Sequence, residues 1–274
     1  MGKIPTTLLI RPAARGGKYL GHDAANTKNY SAFVAILHPD TGGIIAYDFA
    51  KAPNEESAGP ENLMDPVRRS EPFPADSNTV HVQLTVEISE PTDFKVLVHG
   101  PLSYPGQART AEADITVLPG INIGTETKYP EGLVIEVPGL CISNVTADWQ
   151  GSQVTCTAKV TMMCGCQIHD GVKDPEWPWL ASDFSIQMVT YMESDAVHSY
   201  KLEYDKNSGT VSSFTGQWPN QAIKGDTVKQ AWIYAFEPKL GNQGKYRIFP
   251  SPYRYPLQQL PPEVQKLLSE IVDH

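Results

Sequence analysis

The chain is poor in most of the features that announce a protein class. Only 4 of its 274 residues are cysteine, too few for a disulfide scaffold at this length. No apolar run approaches the roughly 18 residues needed to cross a bilayer as a helix, so no transmembrane segment is expected. Basic residues are outnumbered: 22 Lys and Arg face 31 Asp and Glu, for a net charge of −9. A binder of the phosphate backbone carries a basic patch. Here only Arg68-Arg69 and scattered lysines stand out, which excludes nucleic acid as the expected partner. Enzyme signatures are missing as well. There is no G-x-S-x-G elbow, no H-E-x-x-H, no phosphate-binding loop and no dinucleotide fingerprint. The basic, glycine-rich run Arg15-Gly16-Gly17-Lys18 lacks both the spacing and the following helix of a phosphate loop. The reading therefore leans away from an enzyme and assigns neither catalytic residues nor a required cofactor. Met1-Gly2-Lys3-Ile4-Pro5 also lacks the apolar core of a signal peptide.

What is present is a foldable core broken into short pieces. Hydrophobic residues make up 41% of the chain and charged residues 19%, a globular balance. The 23 prolines and 21 glycines fall singly between apolar runs, as turns between strands do. Residues 80–88 alternate most clearly, with Val80, Val82, Leu84, Val86 and Ile88 on one side and His81, Gln83, Thr85 and Glu87 on the other. A period of two is the mark of a half-buried strand. Further strands are expected at 6–10, 30–37, 44–49, 94–98, 111–118, 133–137, 140–145, 153–163, 184–191, 199–204, 211–218, 230–236 and 245–249. Many short strands at regular spacing suggest β-sandwiches. Residues 50–79, acidic and proline-rich, read as a long excursion loop.

The expected fold is all-β, with two immunoglobulin-like β-sandwich domains. The first spans 1–130 and includes the 50–79 loop, and the second spans 131–250. A proline-rich arm with a short amphipathic helix fills 251–274. In that helix Val264, Leu267, Leu268 and Ile271 repeat at helical spacing. So short a helix is marginal in water and must dock on its own domain or on a neighbouring subunit.

The segment 153–170 concentrates the unusual chemistry. It holds Cys156, Cys164 and Cys166, with Met162, Met163 and His169 beside them. If the strand continues through Met162-Met163-Cys164-Gly165-Cys166, both later cysteines face one way, and Met162, Cys164, Cys166 and His169 form a soft-metal set. Thiolate and thioether sulfur suit Cu(I), and imidazole accepts copper or zinc. The same residues are also ordinary core packers, and a disulfide involving Cys141 or Cys156 is a third reading. A Cys164–Cys166 bridge is the poorer option, because i and i+2 of a strand lie about 6.5–7 Å apart. Just downstream, Trp177 and Trp179 stand among prolines. They read either as a ligand platform for a carbohydrate or as the cap of a core.

The two sets of strands resemble tandem immunoglobulin-like or fibronectin-type domains of bacterial surface and periplasmic proteins. The phrases that carry the likeness are Arg15-Gly16-Gly17-Lys18-Tyr19-Leu20-Gly21, Met162-Met163-Cys164-Gly165-Cys166 and Gly241-Asn242-Gln243-Gly244. The resemblance implies an extracytoplasmic setting, periplasm or cell surface, with the signal peptide absent from the numbered chain. It brings no activity with it. Three functions follow as expectations. The first is a non-enzymatic structural or interaction protein, assembling with itself or a protein partner through sheet edges and the C-terminal arm. The second is a copper-handling or redox protein using the Met-Cys-His set. The third is a carbohydrate-binding module using Trp177 and Trp179.

Overall fold

Fourteen short apolar runs become strands: β1 (Ile4–Ala14), β2 (Tyr30–Leu37), β3 (Ile44–Lys51), β4 (Val82–Ile88), β5 (Thr92–Gly100), β6 (Arg109–Val117), β7 (Leu133–Val137), β8 (Leu140–Asp148), β9 (Gln153–Met162), β10 (Ser185–Met192), β11 (Val197–Tyr204), β12 (Ser213–Pro219), β13 (Val228–Glu237) and β14 (Asn242–Phe249). One α-helix follows, α1 (Pro262–Val272). The computed structural model describes residues 2–16, 20, 30–51, 80–102, 106–124, 132–149, 151–171, 179–220, 227–249 and 260–272. The excursion loop beyond Lys51, the arm at 250–259 and Trp177 lie outside them. Among the described residues no helix is long and apolar enough to cross a membrane. The protein is all-β in class and built of β-sandwiches.

The chain divides into two compact units, residues 1–137 with 255–274, and residues 138–254. In the first unit a three-stranded sheet, β4-β1-β7, faces a four-stranded sheet, β3-β2-β5-β6. β4 keeps the alternation seen in the sequence: Val82, Leu84, Val86 and Ile88 are buried and the residues between them exposed. β3 lies beside β4 and β6 beside β7, so the two sheets meet along both margins. The strand 133–137, expected to open the second set, belongs here instead. It runs parallel to β1, with Ile10 opposite Leu133. The Pro138-Gly139 break after it looks like the turn of a hairpin, but the two flanking strands part company there.

Ser31 to Leu37 are all buried, which requires cover on both faces of β2. Val34 and Ile36 point one way and Phe33, Ala35 and Leu37 the other. The second set joins Leu97 in a cluster with Leu260, Val264 and Leu268, so α1 supplies the cover. Pro262 suits the first helical turn, and Glu263 sits at the positive end of the helix dipole. The Glu263 carboxylate accepts the backbone N–H of Ile44 at 3.2 Å. Residues 260, 264 and 268 repeat every four positions and present one stripe; each, fully buried, contributes about 1.5–3 kcal/mol. Leu267 and Ile271 fall outside the described side chains. The helix that the sequence left to dock on its own domain or a neighbour thus docks on the first unit of its own chain.

The second unit is one seven-stranded sheet in the order β14-β13-β10-β11-β12-β9-β8. It curls until its ends meet. Asn242 Oδ1 accepts the Gly139 N–H at 3.0 Å, and a Cβ on Gly244 would stand 2.6 Å from the carbonyl oxygen of Leu140. Only glycine permits that approach of β14 to β8. Val154, Cys156, Ala158 and Val160 of β9 enclose a core with Ile186 and Met188 of β10 and Ile233 of β13. At the β13–β14 turn the buried Glu237 carboxylate accepts the N–H groups of Lys239 at 2.8 Å and Leu240 at 3.0 Å.

Candidate functional site

The sulfur-rich segment does not continue as a strand. β9 ends at Met162, and the chain reverses over Met163 and Cys164. Gly165 donates its N–H to the Met162 carbonyl at 2.9 Å, and Met162 donates to the Cys166 carbonyl at 3.1 Å. Gly165 has φ +83°, the left-handed conformation that a tight hairpin of this kind needs after its turn. The expectation that Cys164 and Cys166 share a strand face is thereby overturned. Cys164 occupies the turn and is buried, while Cys166 lies on the returning segment and is half-buried. The Cys166 N–H donates to the Cys164 sulfur at 3.4 Å.

Met162 is fully buried. His169 is half-buried and held by its backbone: its N–H donates to the Trp179 carbonyl at 3.0 Å, and its carbonyl accepts from Ala181 at 2.8 Å. Its Nδ1 lies 3.4 Å from the Asp170 carbonyl. Among the described residues no group of three or more His, Cys, Asp or Glu side chains is gathered to hold a metal ion. None of the four cysteines is in a disulfide. One contact between soft atoms joins two residues outside the expected metal set. Cys141 Sγ donates to Met163 Sδ at 3.5 Å, and Met163 also lies against Gly139. Burial pushes the Cys156 thiol up to about 12, so that sulfur is held as a neutral thiol and is a poor nucleophile.

Trp179 is half-buried. Its indole N–H is buried and has no hydrogen-bond partner among the described residues. Its backbone pairs with His169 immediately before the short 3₁₀ turn Ala181–Asp183. The residue ties the segment after the hairpin to the start of β10.

A surface that sequence reasoning passed over lies on the outer side of β11, β10, β13 and β14. On β13, Ala231, Ile233 and Ala235 are buried, and Trp232, Tyr234 and Phe236 point to the opposite face. Register builds rows across that face. Trp232 stands between Val189 of β10 and Arg247 of β14. Tyr234 stands between Gln187 and Lys245. Phe236 stands between Ser185 and Gln243. Trp232 and Tyr234 rings stack at 6.1 Å with a 22° interplanar angle, and the Arg247 guanidinium carbon lies 5.7 Å from the Trp232 ring centre. Trp232 Nε1 donates to Gln230 at 3.1 Å, and Ser199 donates to Gln187 at 2.7 Å. Partial burial, with a hydrogen bond that the Tyr234 hydroxyl makes to the neighbouring Tyr191, pushes the Tyr234 phenol up to about 12. Phe236 is 39% exposed and Val197, on the same face of β11, 57%. The sequence signal was there: Ala231 to Phe236 alternates small or aliphatic residues with aromatic ones, so both faces of β13 are apolar.

In the first unit a surface groove runs between Pro39 and the paired strands β5 and β6. Three of its polar side chains are already engaged. Thr116 Oγ1 donates to Asp93 at 2.6 Å, and Lys95 pairs with Glu112 at 3.0 Å.

No protein-family model matches the chain. No curated protein matches it either. Solved structures do. A DUF3823 family protein from Bacteroides ovatus is 11% identical, with 88% of this chain and 96% of that one covered and a TM-score of 0.28. A DUF3823 family protein from Parabacteroides merdae is 9% identical, over 92% and 99% of the two chains, with a TM-score of 0.25. The T6 backbone pilin of Streptococcus pyogenes serotype M6 is 11% identical, over 92% of this chain and 61% of that one, with a TM-score of 0.22. At these values the likenesses carry no argument about this chain.

Proposed function

We infer that this is a non-enzymatic interaction protein, acting outside the cytoplasm, that engages its partner through the outer face of β10, β11, β13 and β14. The observation that carries the reading is the row Trp232, Tyr234, Phe236 flanked by Arg247 and Lys245. Aromatic residues and arginine are the side chains that dominate binding hot spots, and a contiguous exposed apolar patch is often functional. The sheet edges are weaker candidates than the sequence suggested, because β14 lies against β8 in one unit and β3 against β4 in the other. The extracytoplasmic setting rests on the resemblance carried by the sequence.

The test is capture by envelope fractions from the cells that make the protein. The wild type is expected to be retained and a Trp232→Ala, Tyr234→Ala double variant to pass through. Equal retention of the two would sink the assignment to this face.

A second reading keeps Met162, Cys164, Cys166 and His169 as a Cu(I) site, favoured by the hairpin that folds Cys166 back on Cys164, its N–H 3.4 Å from the Cys164 sulfur. Titration with Cu(I) against a chelating competitor is expected to show stoichiometric uptake that Cys164→Ser removes. No uptake by the wild type would end it.

A further inference from the structure

Apart from any role of the outer face, we propose that Cys164 and Cys166 form a dithiol exchange site, which is oxidised by a small-molecule disulfide and closes into an i, i+2 bridge around Gly165. Distance is the first requirement. Along a strand the two Cα atoms would stand about 6.5–7 Å apart, at the limit of bridging. The hairpin removes that objection. Gly165 has φ +83°, and a residue in the left-handed helical region holds the Cα atoms of its two neighbours about 5.4 Å apart, the mirror image of a two-residue helical step. Disulfides span about 4.4–6.8 Å between Cα atoms. The Cys166 N–H donates to the Cys164 sulfur at 3.4 Å, which sets that sulfur beside an atom bonded directly to the Cα of the second cysteine. Closing the bridge therefore asks for side-chain rotation and leaves the backbone in place.

The frame that keeps this spacing is fastened on both arms. Met162 and Cys166 are joined by the 3.1 Å hydrogen bond, and Thr161 pairs with Gln167 one step further along. The returning arm is then clamped to Ser212, which is fully buried. The Ser212 hydroxyl accepts the Ile168 N–H at 2.8 Å and donates to the Ile168 carbonyl at 3.1 Å. Its own carbonyl accepts the Val160 N–H of β9 at 2.9 Å, so one residue ties the two arms together. Thiols held in such a frame meet as an intramolecular pair, which favours their reaction with each other over reaction with a second molecule.

Exposure divides the roles. Cys166 is half-buried and Cys164 buried, so Cys166 meets the oxidant and Cys164 resolves. The Cys166 thiolate attacks one sulfur of the incoming disulfide, whose S–S bond breaks and releases the first thiolate. Cys164 gives up its proton to solvent and attacks the Cys166 sulfur, expelling the second thiolate. Two cysteine thiols are oxidised, and one small-molecule disulfide is reduced to two thiols. Hydrogen bonds of a thiol are weak, so the contacts of either sulfur do not keep it from reacting. The other cysteines do not compete. Cys141 Sγ lies against Met163 Sδ at 3.5 Å, and burial keeps the Cys156 thiol neutral. A bridge that closes so short a loop restrains little of the unfolded chain, which suits reversible exchange better than bracing.

Incubation of the full, reduced chain with oxidised glutathione, free of oxygen and with a copper chelator present, tests the proposal. Trypsin cuts after Lys159 and Lys173, which leaves Cys164 and Cys166 as the only cysteines of the peptide Val160–Lys173. That peptide is expected to lose the mass of two hydrogen atoms, with the bridged form exceeding the glutathione adduct about tenfold or more. Cys164→Ser is expected to stop at the adduct on Cys166, and Cys166→Ser to form neither product. A wild-type peptide that stays reduced overturns the proposal, and so does an adduct that accumulates without closing. A bridge that reaches Cys141 or Cys156 overturns the pairing. Closure seen only in urea belongs to the unfolded chain and overturns the site. Closure that requires added copper makes the metal the oxidant, and the exchange with a disulfide falls. The wild-type readout involves no substitution, so a variant that fails to fold does not decide the result.

Discussion

Two sheet faces in this molecule start from the same pattern and end differently. On β2 and β5 the outward residues are Phe33, Ala35, Leu37 and Leu97, and α1 covers them until none is more than 1% exposed. On β13 and β10 the outward residues are Trp232, Tyr234, Phe236 and Val189, and Phe236 keeps 39% exposure. The difference lies in what each side chain tolerates. Aliphatic groups gain only by leaving water. Tyrosine and tryptophan present an apolar body with a polar tip, and Arg247, Lys245 and Gln187 are interleaved with them. The first face needs a helix, and the second remains stable in contact with water.

Mutations can break this contrast, and the largest effect is expected where the cover is removed. Leu268→Asp sets an unpaired carboxylate against Phe33 and Leu97 and should undock α1, at a loss of about 3–5 kcal/mol. Calorimetry would show one transition lowered, with increased binding of a hydrophobic dye; an unchanged trace would refute the docking. Acid comes next, through His99. It faces the same side of β5 as Leu97 and is 2% exposed, with Nδ1 3.0 Å from Thr110 Oγ1. Burial, and then the charge of Arg109, hold its imidazole down at about 4 against the usual 6.5. A depressed folded value means that the unfolded chain takes up the proton first. The stability is complete above about pH 6.5 and is lost as pH falls toward 4, by roughly 3 kcal/mol in all. The stability gap between the wild type and His99→Gln should therefore narrow over that window in urea titrations, and a constant gap would count against it.

The remaining two variants sharpen the comparison from the second unit. Gly244→Val places a side chain where the Leu140 carbonyl stands at 2.6 Å and should cost about 1–3 kcal/mol as β14 is pushed from β8. A midpoint equal to wild type would mean that the sheet closes less tightly than described. Trp232→Ala is expected to cost least, about 1 kcal/mol or under, because its face is not a core. A loss matching that of Leu268→Asp would show that the outer row holds the unit together and is not held in reserve for a partner.

Most of the strands could be read from the sequence because the turns between them are marked by proline, glycine and asparagine and the apolar runs are short. What could not be read was partnership. Leu133–Val137 looks the same whether it pairs with β8 or with β1, since period-two alternation carries no address. The run 30–37 was read only as a strand, with no sign of what covers its two faces, while α1 was visible as an amphipathic stripe. Nothing local connects residues more than 200 positions apart. At the hairpin, Gly165 marked a bend, but Met-Met-Cys-Gly-Cys fits a strand as well as a turn until the Met162–Cys166 hydrogen bond is seen. The outer aromatic row was missed for a related reason. Trp232, Tyr234 and Phe236 were read only as part of the strand 230–236, and a side chain's face is fixed only when its neighbours are known.

The seating of α1 on β2 also imposes an order on synthesis. Residues 30–100 leave the ribosome before the helix that closes their apolar face. Leu260, Val264 and Leu268 follow the end of β7 by more than 120 positions, roughly 6–25 s at ordinary elongation rates. Throughout that interval the nascent chain carries a sticky, half-finished sandwich, and the second unit is made in its company. Translation speed and chaperone supply, which leave no trace in the finished fold, will therefore set how much of this protein reaches it.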